Sequence, residues 1–396
     1  MKFVVNRKIM LEYLKSMIRV VPRSNSLQQE LRGFLVEANE DDGFLYVTAT
    51  NQEIAIQRKF KPELETGGSF VMDARLLTDI LSVLGEDTVS FEELKPGVVV
   101  IKSGTCTYTM NVLNSSRYPR PEIPFPDTTV CLSHLRQFYT KTYAAVKSNA
   151  SDVLKGIHFD IKPNKLRVMS CNPQNVALAT KDIPCGGDMK FTLSKETFSL
   201  LASAAGDDEL EVGLCGHSIV FMKESLLFSA RFIEKEYVNV DRIFDNLKTA
   251  YVAKVDFEEM KEQIINICDV ASMGSQTSYI KAEFLENKVD VSTQNDTGGG
   301  KNSFGIVMVD GTAGKTFYYN AATLKDIFKT VEGTLILRLD VNGYLDVMDR
   351  ECQYLMMPTP ESAVKRQLEK YEENKKKPKK KQQIKEQIKE PEQKAA

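Results

Sequence analysis

Apolar and polar residues alternate with period two through three stretches of matching build. They are RGFLVEANEDDGFLYVTATNQEIAIQ (32–57), KGIHFDIKPNKLRVMSCNPQNVALAT (155–180) and YIKAEFLENKVDVSTQNDTGGGKNSF (279–304). Each predicts a strand, a polar turn, a second strand and then a turn bearing asparagine. The first turns are Asp41-Asp42-Gly43, Pro163-Asn164-Lys165 and Glu286-Asn287-Lys288. A helix signature follows each hairpin, opened by Asp73, Ser194 or Asn320 as N-cap. Apolar residues four and seven positions on fall on one helix face: Leu77 and Ile80, Phe198 and Leu201, Leu324 and Ile327. Another turn and strand come next in each copy.

Each copy also opens with a helix. NRKIMLEYLKSMIRV (6–20) has Asn6 as cap and Met10, Leu14 and Met17 on one face. DFEEMKEQIINICDV (256–270) places Asp256, Met260 and Ile264 in the same way. LSHLRQFYTKTYAAV (132–146) has no such clear cap. The pattern therefore predicts three modules of about 120 residues, each with two helices and roughly eight strands, a size suited to independent domains. Helices grouped on one face of antiparallel sheets make an α+β fold. The proline-rich YPRPEIPFPD (118–127) and the segment DNLKTAYVAKV (245–255) mark the boundaries. The expected domains are 1–122, 123–247 and 248–360, with a charged tail over 361–396.

Composition changes the picture little until charge is placed along the chain. The 396 residues carry a formal charge of −2. Residues 361–396 hold twelve Lys and Arg against seven Glu, so the tail is basic and the body acidic. That tail, rich in Lys, Glu and Gln, is expected to be disordered or partly helical. An acidic body still binds nucleic acid where basic residues gather on one surface. No apolar run reaches the ~18 residues a membrane span needs. The N-terminus lacks the apolar run and cleavage site of a signal peptide. Seven scattered cysteines, Cys106, Cys131, Cys171, Cys185, Cys215, Cys268 and Cys352, suit reduced thiols in a cytoplasmic protein.

The order of elements, with MKFVVNR at the start, ATNQEIAI, LKGIHFDIKPNKLRVMS and YLMMP near residue 357, resembles the bacterial sliding clamp family, the beta subunit of DNA polymerase III. The resemblance spans about residues 1–360. It implies a three-fold repeated DNA-clamp domain in a ring of two subunits joined head to tail. The ring would encircle double-stranded DNA, tether a DNA polymerase and be placed by a clamp loader, with no catalytic site and no cofactor. A paralogous clamp with altered partners and a non-replicative role is the alternative. One side of the subunit interface would be CTYTMNVL (106–113), with Tyr108 and Met110 as apolar plugs, unless these are ordinary core residues. The counterpart would lie near CDVASMG (268–274).

A sliding ring holds phosphates and reads no bases. The candidate DNA-facing cations are Arg7, Lys8, Lys15, Arg19, Arg23, Arg75, Arg136, Lys141, Lys147, Lys195, Lys325 and Lys329. The alternative for each is a solvated helix face. The resemblance also implies an apolar groove for partner peptides, built from Leu154, Val176, Val238, Arg242, Ile243, Leu355, Met357 and Pro358, unless these residues are plain core. This chain departs from the family there. Cys171-Asn172-Pro173-Gln174-Asn175 stands where the family usually shows Thr-Asp-Gly-His-Arg, so a basic rim has become neutral. In the tail, QLEKY (367–371) partly resembles a clamp-binding peptide that would fold back on the groove. The other reading is an amphipathic helix with Val364, Leu368 and Tyr371 on one face. The lysine block 375–381 meets DNA or another acidic surface, or serves solubility.

Other chemistry finds little footing. GTAGKT (311–316) mimics part of a phosphate loop, but Val309 stands where its first glycine belongs and the strand-like FYYN follows. DTGGGKNS is read as a hairpin turn. His134, His158 and His217 have no ligand spacing, so no metal site is expected. Asp41-Asp42 and Asp207-Asp208 read as turn residues.

Overall fold

The computed structural model describes residues 1–22, 28–146, 153–273, 279–295, 298–366 and 369. Arg23, Lys147, the QLEKY segment apart from Glu369, and the lysine block 375–381 therefore lie outside the described residues. The chain forms two compact units, residues 1–168 with 180–237 and residues 169–179 with 238–396.

Unit 1 holds a five-stranded antiparallel sheet in the order Glu63–Thr66, Lys2–Asn6, Thr88–Lys95, Val98–Ser103, Cys106–Asn111. Its eight-stranded sheet runs Val130–Leu132, Leu210–Cys215, Ser218–Lys223, Leu226–Arg231, Ile54–Phe60, Phe44–Thr50, Gly33–Asn39, Gly68–Asp73. The first and second modules thus share one sheet, through Phe228 opposite Ile56. The α-helices among the described residues of this unit are α1 (Arg7–Met17), α2 (Ala74–Val83), α3 (Leu135–Thr142) and α4 (Lys195–Ala205). α1 packs on α2, α3 on α4, and α1 also on α4. Arg58 staples that last contact. It is buried, its guanidinium lies 4.2 Å from the centre of the Tyr13 ring, and it donates to the Ala204 carbonyl at the C-terminus of α4. A cation suits the negative end of the helix dipole.

Unit 2 holds α5 (Val240–Asp245), α6 (Phe257–Ser272) and α7 (Ala321–Phe328), with α6 packed on α7. Its four-stranded sheet runs Gly299–Gly305, Lys288–Gln294, Tyr279–Phe284, Lys315–Asn320. The other strands of the unit are Thr249–Asp256, Val307–Gly311, Thr334–Asp340, Leu345–Met348 and Cys352–Met356, the last of which pairs with residues 175–179.

The same order of elements occurs three times, and local chemistry explains why. Asn6, Asp73, Ser194, Asp256 and Asn320 each cap a helix by accepting an amide of its first turn. α3 differs. His134 precedes it with φ 61° and makes no side-chain cap. The turn after α4 supplies the cap instead. Gly206 O accepts from Arg136 N at 3.0 Å, and Asp207 Oδ1 accepts from Gln137 N at 3.1 Å. Gly206 has φ +68°, where a side chain would be strained, so glycine lets this turn face α3.

Two expectations need correction. α5 is VDRIFD (240–245), where the sequence pattern predicted no helix. Gly299 and Gly300 belong to a strand, opposite Gln294 and Thr293, rather than to the turn. Lys315–Asn320 is a strand, so GTAGKT is not followed by the helix a phosphate loop needs. All seven cysteines are free thiols. No helix among the described residues is long and apolar enough to cross a membrane.

Candidate functional site

A groove of about 630 Å³ with binding chemistry lies in unit 2. Its floor is Val176 and Leu355, directly opposite each other on paired strands and both buried. The 171–176 hairpin forms one wall. There Asn172 Oδ1 accepts from Gln174 N at 2.8 Å and from Asn175 N at 3.0 Å, which closes the turn. Gln174 O accepts from Met357 N at 2.8 Å and so fixes the end of the last strand. Met357 is 42% exposed at the groove, a flexible apolar side chain able to adapt to varied ligands.

A second wall comes from α5 and the segment after it. Asn239 Oδ1 caps α5 at Arg242 N, buried Val240 anchors the helix, and Ile243, Asn246 and Leu247 face the groove. The third wall is the 340–344 turn. Buried Asp340 holds it, with Oδ2 accepting from Lys248 N at 2.6 Å and Oδ1 from Asn342 N at 2.7 Å. Gly343 has φ +85°, and a Cβ there would run into the Phe317 ring. The polar lining is chiefly carboxamide, from Asn172, Gln174, Asn175, Asn246 and Asn342. Lys248 and Asp340 are its charged members.

Asp346 lies behind this floor, opposite Leu355 in the neighbouring strand. It is 1% exposed. Gln353 Nε2 donates to its Oδ2 at 3.1 Å, while Oδ1 has no hydrogen-bond partner. Burial pushes this carboxyl up to about 6.

Of the residues expected in the groove, Val176, Ile243, Leu355 and Met357 line it. Val238, Arg242 and Pro358 are in the same unit but outside the lining, and Leu154 belongs to unit 1. Sequence reasoning missed Asn246, Leu247, Lys248, Asp340, Val341, Asn342 and Tyr344. The readable signal was DVNG (340–343), an acid and an asparagine on a tight glycine turn after an apolar strand.

The expected DNA-facing cations fall into three groups. Lys8, Lys15, Arg19, Arg75 and Arg136 of unit 1 and Lys329 of unit 2 are exposed. Lys8 pairs with Asp87 at 2.8 Å, and Arg19 Nη2 donates to Ser199 Oγ at 3.0 Å. Lys141, Lys195 and Lys325 are half-buried. Lys195 donates to Val146 O at 3.3 Å and Lys325 is held by Asp269. Arg7 is a correction. Its side chain is buried, donating through Nε to Glu86 O at 2.6 Å and through Nη1 to Leu81 O at 2.9 Å. The first position of α1 abuts the turn after α2, so the guanidinium satisfies carbonyls there rather than facing solvent. α6 is acidic, with Glu258, Glu259, Glu262 and Asp269 against Lys261. Among the described residues no cluster of His, Cys, Asp or Glu could hold a metal ion.

Tyr108 and Met110 are half-buried on Cys106–Asn111, the outermost strand of its sheet.

This repeated α+β architecture is that of the DNA-clamp class. Residues 1–123 match the family described as DNA polymerase III beta subunit, N-terminal domain. The beta sliding clamp of Streptococcus pneumoniae TIGR4 is 20% identical over 302 residues, 72% of this chain and 78% of that protein. The beta sliding clamp of Bacillus subtilis is 22% identical over 309 residues, 74% and 78% of the two chains. The solved DNA polymerase III beta subunit of Thermotoga maritima superposes with a TM-score of 0.79 at 18% identity, covering 91% of this chain and 99% of that one. In sequence the chain is similar to the beta sliding clamps, and it shares the fold of the solved DNA polymerase III beta subunit.

Proposed function

We propose that two copies of this chain close head to tail around duplex DNA, slide without reading sequence, and tether a DNA polymerase through the groove of unit 2. The observation that carries this reading is the clamp-fold match over 91% of the chain. A clamp loader opens the ring to place it. The protein acts as a processivity factor, without a catalytic site or cofactor of its own.

Exposed Lys8, Lys15, Arg19, Arg75 and Arg136 of unit 1 supply most of the phosphate contacts, while acidic α6 contributes none. Such contacts are weak and salt-sensitive, with roughly one unit of log–log salt slope per phosphate neutralised. Retention comes from closure, and the bound polymerase then stays at high effective concentration beside the primer end. The groove takes a short peptide whose apolar side chains meet Val176, Leu355 and Met357. Its carboxamide lining supports a second reading, a paralogous clamp whose partners bind without the charge pairing of a basic rim.

Primer extension on a long circular template tests the proposal, with the host's replicative polymerase and loader and trap DNA that permits one polymerase encounter. The chain is expected to lengthen the products, and Met357→Glu to abolish the gain. Products of unchanged length with the unsubstituted chain contradict the replicative role.

A further inference from the structure

Met357 stands at the groove, and the charged tail begins at residue 361. The path between them is fixed. Thr359 N donates to Tyr318 O at 2.7 Å, on Lys315–Asn320, the outermost strand of its sheet. The same strand backs the third wall of the groove. Tyr319 OH donates to Gly343 O at 2.8 Å, and the Phe317 ring lies where a Cβ of Gly343 would be. The tail therefore leaves the body beside that wall. Residues 361–366 are helical, started by Ala363 N donating to Pro360 O at 2.9 Å and braced by Lys365 with Glu361 at 2.9 Å. Ala363 and Val364 are half-buried, while Glu361, Ser362, Lys365 and Arg366 are exposed. The apolar side of this helix faces the body.

The sequence beyond continues the same side. Val364, Leu368 and Tyr371 recur at i, i+4 and i+7. Leu368 and Tyr371 are the only large apolar side chains between residues 365 and 383, so they are the anchors this part of the tail has to offer. Segment 367–371 holds one Glu and one Lys and carries no net charge. The groove suits it. Its charged members, Lys248 and Asp340, are of opposite sign, and the remaining polar lining is chiefly carboxamide. Its lip has apolar surface to cover, with Val341 49% and Met357 42% exposed. A basic tail on an acidic body is also drawn inward.

We propose that segment 367–371 folds back into the groove of its own unit 2, seating Leu368 and Tyr371 against Val341 and Met357 over the Val176–Leu355 floor, and that a partner peptide binds by displacing it. This rests on the groove as the peptide site and adds its regulation. The tether makes a weak contact sufficient. Linked so closely, the segment is held at an effective concentration on the order of 1 mM, so a contact with a Kd of about 100 µM is closed about nine-tenths of the time. Partner peptides then bind about tenfold more weakly than to an open groove. A partner offering several contacts overcomes that, whereas a single weak peptide does not.

Fluorescence tests the contact. The chain has no Trp, so Tyr371→Trp supplies a sole indole reporter. In the full chain its emission is expected to be blue-shifted and shielded from acrylamide. Adding Met357→Glu, or Leu368→Glu instead, is expected to return both properties to those of a solvated indole. Leu368→Glu alters only the tail, so its result stands even where Met357→Glu perturbs the fold. A solvated emission from Tyr371→Trp alone overturns the contact. A shielded emission that Met357→Glu leaves unchanged puts the segment elsewhere and overturns it as well. Competition is the second readout. A fluorescein-labelled peptide of residues 364–374 is expected to bind the full chain carrying Leu368→Glu and Tyr371→Glu about tenfold more tightly than the unsubstituted chain. Equal affinities, or no binding to either, count against displacement. Primer extension separates the two levels. Lengthened products beside a solvated indole sink only the tail contact, whereas unchanged products beside a shielded indole sink only the tethering role.

Discussion

Asp346 shows what a single buried acid does to this fold. Its carboxyl, pushed up to about 6 by burial, holds a proton in the folded state at pH values where the unfolded chain, near 3.8, has lost it. The folded state therefore loses stability from this group as pH rises from about 4 through about 6, and the deficit persists above. Asp346→Asn is predicted to stabilise the protein by about 3 kcal/mol at pH 8 and by almost nothing at pH 4. Urea midpoints of both proteins across that range check it, and an equal difference at the two ends would refute it. His158 pulls the other way. Burial beside Tyr237 holds it down to about 4, so its contribution is lost as pH falls from about 6.5 toward 4. Comparing variant with parent at each pH cancels that term. None of this was legible in LDVMD, because burial of Asp346 depends on Leu355 and Arg338 in strands on either side. Arg7 taught the same lesson. A basic residue on a helix was visible, but the carbonyls that absorb it lie more than seventy residues away.

At the scale of elements, helices with a local cap were the most legible. Asn6, Asp73, Ser194, Asp256 and Asn320 announce their helices because cap and first turn are contiguous. α3 was the least regular of the sequence-predicted helices because its cap, Asp207, arrives from another part of the chain. Asp207→Ala is predicted to cost about 1 kcal/mol, read as a lower urea midpoint at unchanged slope. The neighbouring Asp208→Ala removes only an exposed pair with Lys223 and should shift the midpoint far less. Equal shifts would show that α3 does not depend on this cap. α5 escaped notice because six residues are too few to display a helical period. Half of the expected groove residues line the cavity, the strand and hairpin positions among them. The 340–344 wall was missed because its place depends on Asp340 gripping Lys248, a contact that no local spacing encodes.

At the scale of the molecule, the three-fold repeat was readable because hairpin, Asn turn and capped helix recur in order. The grouping into two units was not. Residues 169–179 join unit 2 because 175–179 pair with 352–356, and a pairing of that sequence separation leaves no trace in local pattern. The proposed hold on DNA is topological: a closed ring would retain duplex by encircling it, while its individual phosphate contacts stay weak. The chain loaded onto nicked circular duplex, washed in high salt and then exposed to a single cut by an endonuclease tests this directly. The account predicts that the protein survives the wash on intact circles and leaves promptly once the circle is opened. Equal loss from circular and linear DNA in the wash, or persistence after the cut with both ends free, would contradict it.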